Sequence, residues 1–233
     1  MQRRRTMSIL LGPPGSGKGT QAKRLSAALG IPAISTGEIL RHECQSGSTV
    51  GRQVERVLAS GQLVGDELMN EVVAKRLSQS DCEYGWILDG FPRTLAQAQF
   101  LDRLLKGQDA GFPAIFDFFL SEKELVTRLG GRHECVQCGR IFAGLAPQCD
   151  IDGSPLVQRA DDQPKAIRER LRIYRQNSGK LVRFYRRRNY HRIWAARAPE
   201  TISQDLFRLA GVERNEAGGK YEPLVLASPS ACA

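Results

Sequence analysis

The run Gly12-Pro13-Pro14-Gly15-Ser16-Gly17-Lys18-Gly19-Thr20 stands directly between a short apolar segment, residues 7–11, and an amphipathic one from Lys18 to Leu29. It fits the pattern G-x-x-x-x-G-K. A buried strand, a glycine turn and a helix in that order point to a parallel sheet wrapped by helices, with ligands collecting at the carboxyl ends of the strands. The glycines let successive backbone N–H groups curl around phosphate oxygens, the helix N-terminus adds its positive end, and Lys18 reaches outer phosphates. The general pattern has Ser or Thr directly after the lysine, whereas this chain has Gly19 and then Thr20. A ligand-free strand–helix turn is the bland alternative. Four glycines with a lysine in register argue against it.

The same alternation continues along the chain. Strands are expected at 31–35, at Gly85–Asp89, at 114–120 and at 191–198. Helices are expected at 37–44, 49–60, 66–79, 95–105, 121–129 and 199–209. The helix at 121–129 opens with the N-cap pattern S-x-x-E, Ser121 and Glu124. A long helix over 164–188 begins with Pro164 and carries Ile167, Leu171, Tyr174, Leu181 and Tyr185 on one stripe. Residues 132–160 break the rhythm with cysteines, glycines and prolines, and read as an inserted module. From Gly211 onward there is no period, and a disordered tail over 211–233 is expected.

The chain has 233 residues, 41% hydrophobic and 25% charged, enough for a sizeable core and outside the disordered and fibrous classes. No apolar stretch reaches the roughly 18 residues of a membrane span, and the start is too short in apolar residues for a secretory leader. Met7 is a plausible alternative start, which would exclude Arg3, Arg4 and Arg5. Three of the six cysteines, Cys135, Cys138 and Cys149, cluster, while Cys44, Cys82 and Cys232 are scattered. That usage suits a reducing, cytoplasmic location. The net charge of +9 is uneven: residues 165–192 hold eleven basic residues and one acid, Glu169. Such a run raises nucleic acid or an acidic surface as partner, but it also fits the solvated face of one long helix.

Five blocks carry a resemblance. They are the loop Leu10–Ala22, Ile34-Ser-Thr36-Gly-Glu-Ile-Leu-Arg41, Gly61-Gln62-Leu63-Val64-Gly-Asp66-Glu67, Leu88-Asp89-Gly90-Phe91-Pro92-Arg93-Thr-Leu-Ala-Gln97, and Gln158-Arg159-Ala-Asp161-Asp162. In this order and spacing the chain resembles the nucleoside monophosphate kinases, most closely the adenylate kinase family. The resemblance implies an α/β P-loop core at 1–35, 66–131 and 163–210. A helical monophosphate-binding subdomain at 36–65 and a small zinc lid at 132–162 would be inserted into it. It also implies ATP, AMP and ADP as partners with Mg²⁺, a monomer, and neither nucleic acid nor membrane.

Carried onto this sequence, Gly15, Ser16, Gly17, Lys18, Gly19 and Thr20 would hold ATP, with Arg132, Ile141 and Phe142 of the lid. Thr36, Arg41, Gln62, Leu63, Val64, Gly90, Phe91, Pro92, Arg93, Gln97, Arg159 and Arg170 would hold AMP. Thr36 and Arg41 alone would otherwise read as a helix cap and a solvated arginine. Asp89 can hold the Mg²⁺ shell through water. Arg93 offers a planar fork for phosphate, and Gln97, four residues on, is expected on the same helix face. A side-chain amide both donates and accepts, matching N1 and the exocyclic amine of adenine; pyrimidine kinases of this kind have Asn near that position. Glu38 stands where the family has Asp, and Gly65 where Thr, Ser or Pro is usual.

Arg128, Arg132, Arg159 and Arg170 would close over the transferring phosphoryl group, with Lys18, Arg93 and Asp89 completing the catalytic set. Arg128 and Arg132, one helical turn apart, are expected on one side. Asp161 and Asp162 either orient these arginines or open the helix beside Pro164. In the module, Cys135-x2-Cys138 and Cys149-x2-Asp152 offer three thiolates and a carboxylate for tetrahedral Zn²⁺, with His133 and Asp150 as rival ligands; the family pattern favours Asp152. Such zinc would be structural. A zinc-ribbon nucleic-acid binder is the reading from another class, but only Arg140 is basic between Cys135 and Asp152, too little for phosphate-backbone affinity.

Overall fold

Met7, Ile9 and Leu11 pack on one face of the first strand and Leu10 on the other, so both faces are buried and the strand reads as a continuous apolar run. The computed structural model describes residues 5–106, 112–144, 146–214 and 221–223. In chain order, β1 (Thr6–Leu11), α1 (Lys18–Leu29), β2 (Ala33–Ser35), α2 (Thr36–Gln45), α3 (Thr49–Ala59) and α4 (Asp66–Leu77) come first. Then follow β3 (Gly85–Asp89), α5 (Leu95–Lys106), β4 (Ala114–Phe119), α6 (Glu122–Gly130), β5 (Arg132–Cys135), β6 (Ile141–Ala143) and β7 (Leu156–Val157). The last are α7 (Pro164–Tyr185), β8 (Tyr190–Trp194), α8 (Pro199–Leu209), β9 (Val212–Arg214) and β10 (Tyr221–Pro223).

Five strands form one parallel sheet in the order β2-β3-β1-β4-β8. On one face Ile9, Leu11, Trp86 and Leu88 meet Val73, Ala98, Leu101, Leu181 and Tyr185 from α4, α5 and α7. On the other, Leu10, Ile87, Phe116 and Phe118 meet Leu25, Ile202 and Leu206 from α1 and α8. The chain leaves β1 for β2 on one side and later reaches β4 on the other. The crevice at the carboxyl end of β1 is therefore the topological switch point, where open α/β sheets bind ligands.

Helix starts follow their caps. Ser35, Ser48 and Ser121 accept from Glu38, Gly51 and Glu124 backbone N–H groups, each cap worth about 1 kcal/mol. At α6 the Glu124 carboxylate takes the Ser121 hydroxyl at 2.5 Å. On α7, Ile167, Leu171, Leu181 and Tyr185 are buried, while Lys165, Arg168, Arg172, Arg175, Lys180 and Arg183 are exposed, as are Arg186 and Arg187 just beyond its end. The basic run is thus largely a solvated helix face. Arg188 departs from it: it bonds Asp102 at 2.5 Å and lies over the Phe184 ring at 4.6 Å.

Several boundaries differ from the sequence reading. The last strand ends at Trp194 and the long helix at Tyr185, because the chain turns there into β8 beside β4. The tail expected to lack regular structure carries β9 and β10, paired antiparallel; residues 215–220 and 224–233 of it, Cys232 among them, lie outside the described residues. The module at 132–160 folds as a three-stranded antiparallel sheet, β6-β5-β7.

Candidate active site

The loop between β1 and α1 is shaped by its glycines. Gly17, at φ 88°, caps α1 in the left-handed region, and no side chain caps the helix. No acidic residue occupies its first turn. The first N–H groups are thus left for an anion. Lys18 Nζ donates to the Pro13 carbonyl at 2.8 Å and to Ser16 Oγ at 3.3 Å, which folds the amine back over the loop. Burial pushes the Lys18 pKa down to about 8; Asp89 opposes this, and Arg93, Arg170 and Arg132 add to it. A Cβ on Gly19 would stand 3.3 Å from Asp89 Oδ2. The position after Lys18 therefore borders the carboxylate at the end of β3, with Thr20 following on the exposed side.

Asp89 aligns with Leu10 and Ser35 on the neighbouring strands. Next to it, the Gly90 carbonyl accepts from Thr36 Oγ1 at 3.0 Å and from Arg93 Nε at 2.7 Å. Gly90 has φ 82°, and a Cβ there would meet Thr36 Oγ1 at 2.9 Å and Arg93 Nη2 at 3.0 Å. One carbonyl thus ties the start of α2 to the Asp89–Arg93 segment. Ser35, and not Thr36, caps α2, which frees Thr36 for this bond.

Arg93 precedes α5 instead of sharing a helix face with Gln97, a correction to the spacing argument. The Gln97 side chain turns back to it: Oε1 accepts from the Arg93 backbone N–H at 2.7 Å. Phe91 and Pro92 are both buried. Of the 62–64 block, Val64 enters the core, Leu63 is half-buried and the Gln62 side chain is exposed.

The arginines from the far side are held by carboxylates. Arg132 meets the fully buried Asp162 with Nε to Oδ2 at 2.7 Å and Nη2 to Oδ1 at 2.6 Å. Arg170 reaches Asp162 Oδ1 at 2.9 Å and Asp161 Oδ2 at 3.0 Å. Arg159 pairs with Glu134, a partner that sequence reading missed because β5 is too short to show a period. Arg132 is not a helical neighbour of Arg128: α6 ends at Gly130 and Arg132 opens β5. Arg128 instead donates to the Ala195 carbonyl at 3.0 Å.

Five arginines influence one another. Arg41 is lowered by burial and then by Arg159, and Arg170 by burial, with Arg132 adding to it. Arg93 keeps surface open to solvent, yet the protein crowding its guanidinium, followed by Arg170, lowers it too. In Arg159 burial acts downward, but the Glu134 contact prevails and the net shift is upward. Arg41, Arg93 and Arg170, each destabilised in its charged form and each beside another cation, mark a surface suited to an anion.

In the small sheet, the donor atoms of Cys135, Cys138, Cys149 and Asp152 all lie within 4.8 Å of one another. Cys138 Sγ and Cys149 Sγ stand 3.6 Å apart, and Cys135 Sγ stands 3.4 Å from Asp152 Oδ1. A disulfide would bring sulfurs to about 2 Å. Tetrahedral thiolates around zinc, at about 2.3 Å each, stand about 3.8 Å apart. The donor set therefore fits a four-coordinate ion. The rivals are engaged elsewhere: Asp150 with Arg140 at 3.2 Å, and His133 Nδ1 beside the Gly131 carbonyl. On β6, Ile141 is exposed and Phe142 half-buried under the Arg140 guanidinium, 5.6 Å from the ring centre.

Residues 10–190 match the family model described as adenylate kinase. The chain is 45% identical over 186 residues to the adenylate kinase of Archaeoglobus fulgidus, covering 77% of this chain and 86% of that protein. It is 44% identical over 189 residues to that of Thermosipho melanesiensis, covering 78% and 87%, and 43% over 186 residues to that of Anaeromyxobacter dehalogenans, covering 77% and 87%. With the loop, the parallel sheet and the converging arginines already in place, these matches mean that the chain belongs to the adenylate kinase family.

Proposed function

We propose that the protein catalyses reversible transfer of the terminal phosphoryl group of Mg-ATP to AMP, giving two ADP, and so balances the adenine nucleotide pool. The observation that carries this reading is the meeting of Lys18, Arg93, Arg132 and Arg170 in one electrostatic neighbourhood, each reaching it from a different segment of the chain. Phosphoryl transfer asks little covalent chemistry of a protein. It asks for two substrates in line and for positive groups where charge develops.

The Gly15–Thr20 amides and Lys18 hold the ATP phosphates, and Ile141 and Phe142 of the lid contact its nucleoside. Thr36, Arg41 and Arg93 hold AMP, its phosphate on the two arginines, with the backbone of 62–64 and Gly90–Pro92 as its walls. Gln97 reads the base. Arg128, Arg132, Arg159 and Arg170 neutralise the phosphoryl group in transit while the lid excludes water, the competing acceptor. Mg²⁺ carried by ATP neutralises phosphate charge, and Asp89 and Thr20 are the residues that would hold its water shell.

We assign Zn²⁺ as the structural ion of Cys135, Cys138, Cys149 and Asp152. So small a module buries too little apolar surface to fold alone, and metal binding supplies folding free energy. A coupled assay with AMP, UMP, CMP and GMP, run on protein of measured zinc content, tests both readings. Preference for AMP is expected; equal or greater turnover of another monophosphate overturns the assignment.

A further inference from the structure

The base-reading amide of Gln97 is almost fully buried and locked at both ends. Its Oε1 accepts from the Arg93 backbone N–H at 2.7 Å, and its Nε2 donates to Asp66 Oδ1 at 2.8 Å. Asp66 lies in the first turn of α4 and is itself held: the Thr94 hydroxyl stands 3.0 Å from Oδ2 and 3.1 Å from Oδ1. That same hydroxyl accepts from the Gln97 backbone N–H at 3.2 Å. A peptide N–H can only donate and a carboxylate can only accept, so the amide has one permitted orientation. Flipping it would set a donor against a donor and an oxygen against a carboxylate.

We propose that Asp66 is a positioning residue that sets the purine selectivity of the monophosphate site by forbidding the flip of Gln97. The inference rests on the reading of Gln97 as the base contact. After its two internal bonds, Gln97 keeps one hydrogen on Nε2 and one lone pair on Oε1. That pair suits a base edge with an acceptor ring nitrogen beside an amino donor, as at N1 and C6 of adenine. Hypoxanthine and guanine present the reverse, N1–H beside O6. A free glutamine amide serves either edge by turning over. A locked one pairs with adenine and leaves buried polar groups unpaired against the others, which is how such sites discriminate.

The test compares kcat/KM for AMP and for IMP in the wild type, Asp66→Asn, Thr94→Val and Gln97→Ala, with a thermal melt of each. The side-chain amide introduced by Asp66→Asn can either accept from or donate to Gln97, so this substitution removes one lock. The AMP-to-IMP ratio is expected to fall about tenfold, with KM for IMP improving and kcat for AMP changing little. Thr94→Val, which leaves Asp66 in place but unheld, is expected to shift the ratio the same way by about threefold, and it serves if Asp66→Asn does not fold. A merely structural role would lower both substrates together and leave the ratio unmoved; that outcome in the folded variants overturns the proposal. If Gln97→Ala also leaves the ratio unmoved, it is the base-reading role of Gln97 that fails. If Gln97→Ala collapses the ratio and the Asp66 and Thr94 variants do not, the positioning role alone fails.

Discussion

Asp162, with no exposed surface, grips Arg132 side-on through two contacts of 2.6 and 2.7 Å. The same carboxylate takes Arg170 at 2.9 Å. One buried acid therefore aims two guanidiniums, one from the first strand of the small sheet and one from the long helix. Arg132 belongs to this clamp by tertiary contact, not by helical spacing from Arg128.

Removing that acid should cost stability as well as rate. Asp162→Ala leaves two guanidiniums without their shared partner, and loss of one member of a buried ionic cluster costs about 3–5 kcal/mol. Urea unfolding is expected to show a lower midpoint with an unchanged slope. A midpoint equal to the wild type would mean that the clamp is not formed in solution.

Arg93→Ala is expected to fold normally and Arg132→Ala, which takes from the buried Asp162 one of its two arginine partners, to fold with a lowered melting temperature; both are expected to lose at least a hundredfold in turnover. Positive groups at developing phosphoryl charge are worth about 10³ to 10⁵ in rate. Circular dichroism and a coupled assay check this. Near-normal turnover in either variant removes that arginine from the catalytic set.

The Lys18 amine, lowered by burial to about 8, gives an alkaline limb. Below that value the lysine is charged and binds phosphate; above it the proton is lost in the free enzyme. The kcat/KM for ATP should fall about tenfold per pH unit above about 8, while kcat holds further, because bound phosphates favour the charged form. Stability has its own sign. Between about 8 and the ordinary value of 10.5 the unfolded chain binds the proton that the folded chain gives up, so this group's contribution rises with pH across that window. Lys18→Arg should abolish the limb near 8; a limb that stays there belongs to another group.

Zinc removal should loosen the small sheet. Chelation, or Cys149→Ser, is expected to lower the melting temperature and to raise ATP hydrolysis in the absence of AMP, since the lid then admits water. Metal analysis should return one zinc per chain in the wild type and none in the variant. No change in melting or hydrolysis on chelation, or no zinc in the protein as purified, overturns the assignment.

Much of the core was legible because its signals are local. The apolar run ending at Leu11, the glycines through Gly17, and Pro164 at the head of the long helix each state a backbone preference that the fold keeps. The gathering of the three cysteines with Asp152 was legible too, since each C-x2-C or C-x2-D turn brings its two donor side chains to one side. Spacing failed where it was extended past an element's end. Arg93 stands just before α5 and Arg132 just after α6, so neither keeps the helical offset that its number suggests. The β9–β10 pair went unseen because strands of three residues hold too few positions for an alternation to register.

The amino-acid sequence by itself determined the chemistry on offer: a phosphate-cradling loop, a set of arginines in a fixed order, an amide suited to adenine, and a four-donor metal set. Only the tertiary structure decided which carboxylate serves which side chain. It gave Asp162 to Arg132 and Arg170, Glu134 to Arg159, and Asp66 to Gln97. The physical reason is that backbone preference acts over a few neighbouring residues. Pairing of buried polar groups is settled instead by where the sheet and helices bring distant residues together, and by the high cost of leaving any such group unpaired.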